Sequence, residues 1–204
     1  MELESEVKEL DQEKVNHSAW LERPSFRIVL VSTFSALAIV LGYMLANLPN
    51  IELFTLTIFL SGFILGKRDG FIVGIFSSFI FCFFNPWGSS PLPLLAFQMF
   101  HYSLTGFIGA LTRDYLKKKI YFKPDEDLYL LPIMVILGFL GALITISYQI
   151  FASLVNVLFF YTIDEFLAYF LMGILFTITH IVGNTLGFTF ILPGLIQLIY
   201  KMLY

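Results

Sequence analysis

Six stretches of this chain are apolar over about 15 to 27 residues with almost no charge inside them: roughly 26–46, 51–66, 70–84, 92–112, 129–155 and 175–200. A helix that crosses a bilayer needs about 20 such residues, and about 17 at the short end. In hydrocarbon no water is present to satisfy the backbone, so a run of this kind folds as a helix. The second and third runs are short by that measure. They are divided by Gly66–Gly70 (GKRDG), which reads as a tight interfacial turn. Pro49 closes the first run, and the turn-rich NPWGSSPLP (Asn85–Pro93) separates the third from the fourth. The run from Glu165 to Leu203 is too long for one straight span, so a separate short helix is predicted before the last one.

Composition agrees with this reading. Hydrophobic residues make up 58%, charged residues 13%, and mean hydropathy is +0.83. A water-soluble domain carries about 25% charged residues. Residues 1–14 hold six of the fifteen acids and two of the twelve bases, which leaves the apolar body close to neutral. The chain divides into an acidic tail at 1–22 and a six-helix domain at 23–204. Leu3, Val7 and Leu10 have helical spacing in the tail, which fits either an amphipathic helix or a solvated extension. No cleavable signal is expected, and the first run should act as an uncleaved anchor. There is no basic stripe for nucleic acid and no P-loop. Cys82 lies inside an apolar run and reads as a core thiol.

Lys and Arg placement sets orientation. With six spans, Lys8, Lys14, Arg23, Arg27, Lys67, Arg68, Arg113, Lys117, Lys118, Lys119, Lys123 and Lys201 all fall on one side. The other side carries only Glu52, Asp164 and Glu165. The expected architecture is therefore an all-α integral membrane protein of the plasma membrane, six transmembrane helices in a compact bundle, with both termini cytoplasmic.

Polar side chains at membrane depth are costly, so their positions carry information. Asn47, Asn50 and Glu52 flank the outer junction of the first two helices, and Asn85 and Trp87 mark the outer end of the third. Gln98, His101 and Tyr102 share one face of the fourth helix at i, i+3 and i+4. Tyr148 and Gln149 lie near the outer end of the fifth, and His180 and Asn184 stand one turn apart in the outer half of the last. The inner halves hold mostly Leu, Ile, Phe, Gly and Ser. Taken singly, each polar residue reads as interhelical glue, Trp87 as an interfacial belt residue and Tyr148 as belt or core. Their convergence reads as a pocket open to the outside for a small polar or aromatic molecule. Amides, imidazole and aromatic rings suit a flat heterocycle, and a lone Glu52 favours a neutral or cationic one. Along the first helix, Ser32 and Ala36, and then Ala38, Gly42 and Ala46, form rows of small residues at four-residue spacing. Such rows admit the close approach of another helix, from the same bundle or from a partner.

These residues resemble the substrate-binding S components of energy-coupling factor (ECF) transporters, bacterial and archaeal membrane proteins for vitamins and related micronutrients. The likeness is carried by ANLPNIELFTLTIFLSGFILGKRDGFIVGIFSS, FNPWGSSPLPLLAFQMFHYSLTGFIGALTRD and HIVGNTLGFTFILPGL, and it covers about residues 26–200. It implies outside capture of a vitamin-like substrate beneath the loops joining helices one to two, three to four and five to six. It also implies a membrane coupling subunit, two cytoplasmic ATPases, and a toppling motion that delivers the substrate. The family's Ala-x-x-x-Ala docking motif falls on Ser32 and Ala36, with Ser in the first place. The pocket falls on Asn47, Asn50, Glu52, Asn85, Gln98, Tyr102, His180 and Asn184. The acidic tail is outside the usual pattern.

The rival readings are a stand-alone carrier or channel, a structural helper subunit, and a membrane enzyme using His101 and His180. A carrier or channel calls for a polar stripe reaching the cytoplasmic side or for intramembrane carboxylate pairs, and the helices carry neither. An enzyme calls for a zinc-binding His-Glu-x-x-His or a Gly-x-Ser-x-Gly nucleophile, and the sequence has neither. No cofactor, metal site or catalytic residue is predicted.

Overall fold

The structure is a computed structural model describing residues 23–124 and 126–203. The acidic segment 1–22 lies outside the described residues. Those residues form helices and connecting turns, with no strand among them. In chain order the helices are α1 (Pro24–Met44), α2 (Phe54–Leu65), α3 (Lys67–Phe83), α4 (Leu92–Leu116), α5 (Leu131–Phe160), α6 (Phe166–Met172), α7 (Ile174–Leu186) and α8 (Leu192–Leu203). A π-helical stretch, Gly187–Ile191, joins α7 to α8, making one continuous rod from Ile174 to Leu203. The break expected before the last span is a 3-10 turn, Ile163–Glu165, followed by α6.

Among the described residues four helices are long and apolar enough to cross a membrane: Pro24–Met44, Leu92–Leu116, Leu131–Phe160 and Ile174–Leu203. Each reaches or passes the sequence limits drawn for it at one end, α5 running to Phe160 rather than 155. The two short runs are shorter still as helices. α2 has 12 residues and rises about 18 Å; α3 has 17 and rises about 26 Å. α2 is apolar all round, and all of Phe54–Leu65 is buried. A helix with no polar face has to be enclosed by others, and α1, α3, α4 and α8 enclose it.

Glycine makes that enclosure close. Gly62 of α2, Gly70 of α3 and Gly106 of α4 meet backbone to backbone: a Cβ on Gly70 would lie 2.9 Å from the Gly106 carbonyl oxygen and 3.0 Å from the Gly62 nitrogen. Any larger residue would push the helices apart, the small-residue packing of membrane bundles. Beside them, lipid-compatible side chains face outward. Ile28, Val29, Val40, Phe76, Phe100, Val135, Phe139, Leu175 and Phe190 are all exposed. A water-soluble surface would not carry so much contiguous apolar area.

The GKRDG turn is tighter than the sequence suggests. Gly66 alone reverses the chain at φ 100°, a conformation that favours glycine, and Lys67 already begins α3. Two arginines satisfy the carbonyls left open at the end of α2. Arg27 Nη2 donates to Leu65 O (3.3 Å) and Arg113 Nη1 to Ile64 O (3.3 Å). Arg27 also pairs with the buried Asp69 of α3 at 2.7 Å, and Lys67 with Asp114 of α4 at 3.2 Å. Cations at a helix C-terminus also suit its dipole. This basic end ties α1, α2, α3 and α4 together, and the loops carrying the candidate site lie at the other end of α2.

Candidate functional site

Glu52 stands just before α2 and is the hub of the site. Its Oε2 accepts from the Thr55 backbone N–H (2.7 Å), which caps the helix start. Its Oε1 accepts from Asn184 Nδ2 (3.0 Å) and from His180 Nε2 (3.2 Å), both on α7. Asn184 Nδ2 also reaches Thr145 Oγ1 of α5 (2.9 Å), and Gln149 of α5 reaches His180 Nδ1 (2.8 Å). With the Gln149 amide donating to Nδ1, the remaining imidazole proton sits on Nε2 and points at Glu52. Three segments far apart in sequence are thereby joined around one carboxylate. The Glu52 and His180 side chains are 15% and 8% exposed, so they are shielded but not sealed.

A cavity of about 280 Å³ opens beside this hub. Asn50, Glu52, Asn85, Trp87, Tyr102, Gln149 and His180 line it, with Phe81 and Tyr148. Two loops roof it. Trp87 Nε1 donates across to Ala46 O (3.2 Å), and the Trp87 N–H donates to Asn85 Oδ1 (2.9 Å). Asn50, at φ 56°, sends its Nδ2 to Phe176 O (2.8 Å), pinning the α1–α2 loop to the start of α7. That left-handed backbone costs asparagine less than most residues. Seven of the residues expected at the site thus share one wall.

The others stand elsewhere. Asn184 braces Glu52 from behind, 2% exposed. Gln98 and His101 form a second polar layer behind Tyr148: Gln98 Nε2 donates to Tyr148 OH (3.0 Å), and His101 Nε2 meets Ser147 Oγ at 3.2 Å. Ser147 Oγ donates its own proton to Ile144 O (2.8 Å), so it accepts from the imidazole. Gln98 Oε1 and His101 Nδ1 are buried with no hydrogen-bond partner. Asn47 is exposed on the α1–α2 loop and outside the cavity wall.

Sequence reasoning missed three members. Tyr148, read as belt or core, is a cavity wall packed on Tyr102 with ring centroids 5.6 Å apart. Phe81 stacks on Phe54 at 4.4 Å, and Thr145 anchors Asn184. Only the position of Tyr148 beside Gln149 offered a signal. The π-helical stretch, three residues beyond Asn184, gave none. It buries Phe188 completely against Phe59, centroids 5.0 Å apart. Such bulges interrupt the i→i+4 ladder and often accompany functional sites.

Ser32 and Ala36 stand midway along α1, outside the cavity, exposed in a groove of about 830 Å³ between α1 and α3. Arg27, Arg68 and Asp69 stand at its basic end, and Ile39, Ile72, Phe76 and Ile80 continue it. Among the described residues no group of three or more His, Cys, Asp or Glu side chains is arranged to hold a metal ion.

The arrangement suits a binding protein: a shielded cavity under loops, with hydrogen-bonding groups fixed from several helices. Comparison with known protein families agrees. The family described as "ECF transporter, substrate-specific component" matches residues 26–203, and the chain belongs to that family. It is a substrate-specific component, a multi-pass membrane protein that captures substrate for ATP-driven micronutrient import. Members bind substrate for transport and are not enzymes, which sets aside the reading built on His101 and His180. No curated protein and no solved structure matches the chain significantly.

Proposed function

We propose that this chain captures a small vitamin-like molecule in the Glu52 cavity, from the outer side of the plasma membrane. In this reading six rods cross the bilayer: α1, α2, α3, α4, α5 and the rod from α7 to α8. The short α2 and α3 cross a locally shallow part of the bundle, α2 enclosed by its neighbours and α3 with one face, Phe76, Phe79, Ile80 and Phe83, turned outward. Both termini are cytoplasmic. The end bearing Arg27, Lys67, Arg68 and Arg113 is the inner one, because Lys and Arg accumulate there.

The observation that carries the reading is the meeting of Glu52, Gln149 and His180, drawn from three segments, on the wall of one loop-covered cavity. Asn50, Asn85, Trp87 and Tyr102 complete the wall. Asn184 sets the direction of the Glu52 carboxylate, and Gln98 and His101 support Tyr148 from behind. Asn47 stands on the α1–α2 loop, outside the wall. The Trp87 bridge to Ala46 ties the two roofing loops together and is the natural gate.

For energy the chain depends on a membrane coupling subunit and two ATPases. Ser32 and Ala36 supply the small-residue face on which the coupling subunit docks, and the apolar α1–α3 groove widens that face. Toppling of the bundle would then carry the cavity from one surface toward the other.

The test is thermal stabilisation of the purified chain across a panel of vitamins and cofactor precursors. Ligand at 100 times its Kd stabilises by about 2.7 kcal/mol. A hit lost in Gln149→Ala supports capture in this cavity. Silence across the panel, with folded protein demonstrated, contradicts it.

A further inference from the structure

We infer that the ligand of the Glu52 cavity is a small organic cation, a compact or flat molecule bearing a quaternary or protonated nitrogen; this rests on the capture reading above and names the class of its substrate.

Among the described residues, Glu52 is the one acidic or basic side chain lining the cavity apart from His180. Its hydrogen-bond partners are dipoles: a backbone N–H, the Asn184 amide, and an imidazole whose Nδ1 already accepts from Gln149. They satisfy the lone pairs, and of the three only His180, when protonated, would cancel the charge. The bases nearest to α2, Arg27, Lys67 and Arg113, gather at its far end, about 18 Å along the helix from Glu52. A carboxylate at that depth without a countercharge is expensive unless a cation joins it.

Among the described residues, the loops joining α1 to α2, α3 to α4 and α5 to α6 carry Glu52, Asp164 and Glu165 and no base. Clefts lined by one sign of charge concentrate ligands of the opposite sign. An anionic vitamin would be repelled along the whole approach.

Phe81, Trp87, Tyr102 and Tyr148 contribute rings around the carboxylate. Phe54 holds two of them in place, stacked on Phe81 at 4.4 Å and edge-on to Tyr102 at 4.8 Å. Ring faces attract cations, most strongly where water is excluded. A carboxylate among aromatic faces is a poor site for an anion. It is only an indifferent one for a neutral molecule, which would leave Glu52 uncompensated. The volume of about 280 Å³ limits the enclosed part of the ligand to a single small ring system or its equivalent.

Three nicotinamide-derived probes of matched shape separate the possibilities: 1-methylnicotinamide (cation), nicotinamide (neutral) and nicotinate (anion). Thiamine and choline extend the cations, riboflavin and pyridoxine the neutral set, and pantothenate and biotin the anions. Each is titrated calorimetrically into the purified full-length chain in detergent at fixed ionic strength. The expected result is that binders come from the cations. Glu52→Gln, which keeps the acceptor oxygen and removes the charge, should weaken the best of them by about tenfold or more. If that variant does not fold, Phe81→Leu replaces a ring face at similar volume and should weaken the same cation. Binding of a neutral or anionic probe with no binding of any cation overturns this inference and leaves the capture reading standing. A cation whose affinity is unchanged in both variants also overturns it. Silence from every probe, with folded protein, defeats the capture reading and this inference with it.

Discussion

Replacing Asn184 by alanine probes the hub most sharply, because that one amide joins α2, α5 and the last rod. Its Nδ2 donates to Glu52 Oε1 at 3.0 Å and to Thr145 Oγ1 at 2.9 Å, and the residue is 2% exposed. A hydrogen bond to a charged group contributes about 1.5–3 kcal/mol and a neutral one about 0.5–1.5. Interhelical hydrogen bonds in membranes average nearer 0.6 kcal/mol. The lower figure suits the Thr145 bond, since a threonine hydroxyl can turn to its own helix; Thr145 Oγ1 already donates to Gly141 O at 2.8 Å. The higher figure suits Glu52, whose Oε1 would retain only His180. The expected loss is about 2–4 kcal/mol, a fall in Tm of roughly 5–12 °C for a chain of this size. Thermal unfolding in one detergent measures it, with Asn156→Ala as the control, because Asn156 Nδ2 donates only to Ala152 O of its own helix. A loss for Asn184→Ala no greater than for the control refutes the claim that Glu52 is held through Asn184.

Further outcomes follow from the same contacts. Gly106→Val places a branched side chain against the Gly70 backbone, so α3 and α4 must separate; overpacking of this kind costs about 1–3 kcal/mol or more, read as a lower Tm and poorer yield of folded protein. Arg27→Met removes the ion pair to Asp69 and the contact to Leu65 O. It should destabilise more than Lys123→Met, whose partner Glu126 is a surface neighbour three residues away, and urea or thermal scans compare the two. For topology, cysteines at Asp164 and Lys118 in a Cys82→Ser background should react with an impermeant maleimide from opposite sides of intact cells, Asp164→Cys from outside; labelling of both from one side contradicts six spans.

The sequence made visible what the bilayer and hydrogen bonding impose locally. Apolar run length marked the long helices, because hydrocarbon thickness sets it. Polar residues expected at depth marked the cavity wall, since Glu52, Gln149 and His180 are costly there without partners. Spacing also placed Gln98, His101 and Tyr102 on one face of α4. It did not say what stood across from that face: Tyr148 intervenes, so Tyr102 reaches the cavity while Gln98 and His101 lie behind. Such a relation depends on how α4 sits against α5, which no single helix encodes. The same holds for Asn184, whose partners Thr145 and Glu52 are 39 and 132 residues away. The π-helical stretch at Gly187–Ile191 was equally hidden, because it arises from seating Phe188 against Phe59 and Gly141 rather than from a local signal. The shortness of α2 also follows from its surroundings: a helix wholly enclosed by protein need not match the lipid thickness by itself.

The most direct measurement of capture under the loops uses Trp87, one of two tryptophans in the chain. In a Trp20→Phe background the emission comes from Trp87 alone, on the cavity wall with its indole bonded to Ala46 O. Titration with the molecule that stabilises the chain should shift or quench that emission along one saturable curve, whose Kd equals the calorimetric value and weakens in Gln149→Ala. Stabilisation by a ligand that leaves Trp87 emission unchanged at saturation, and that survives Gln149→Ala, would place the bound molecule elsewhere and contradict the account.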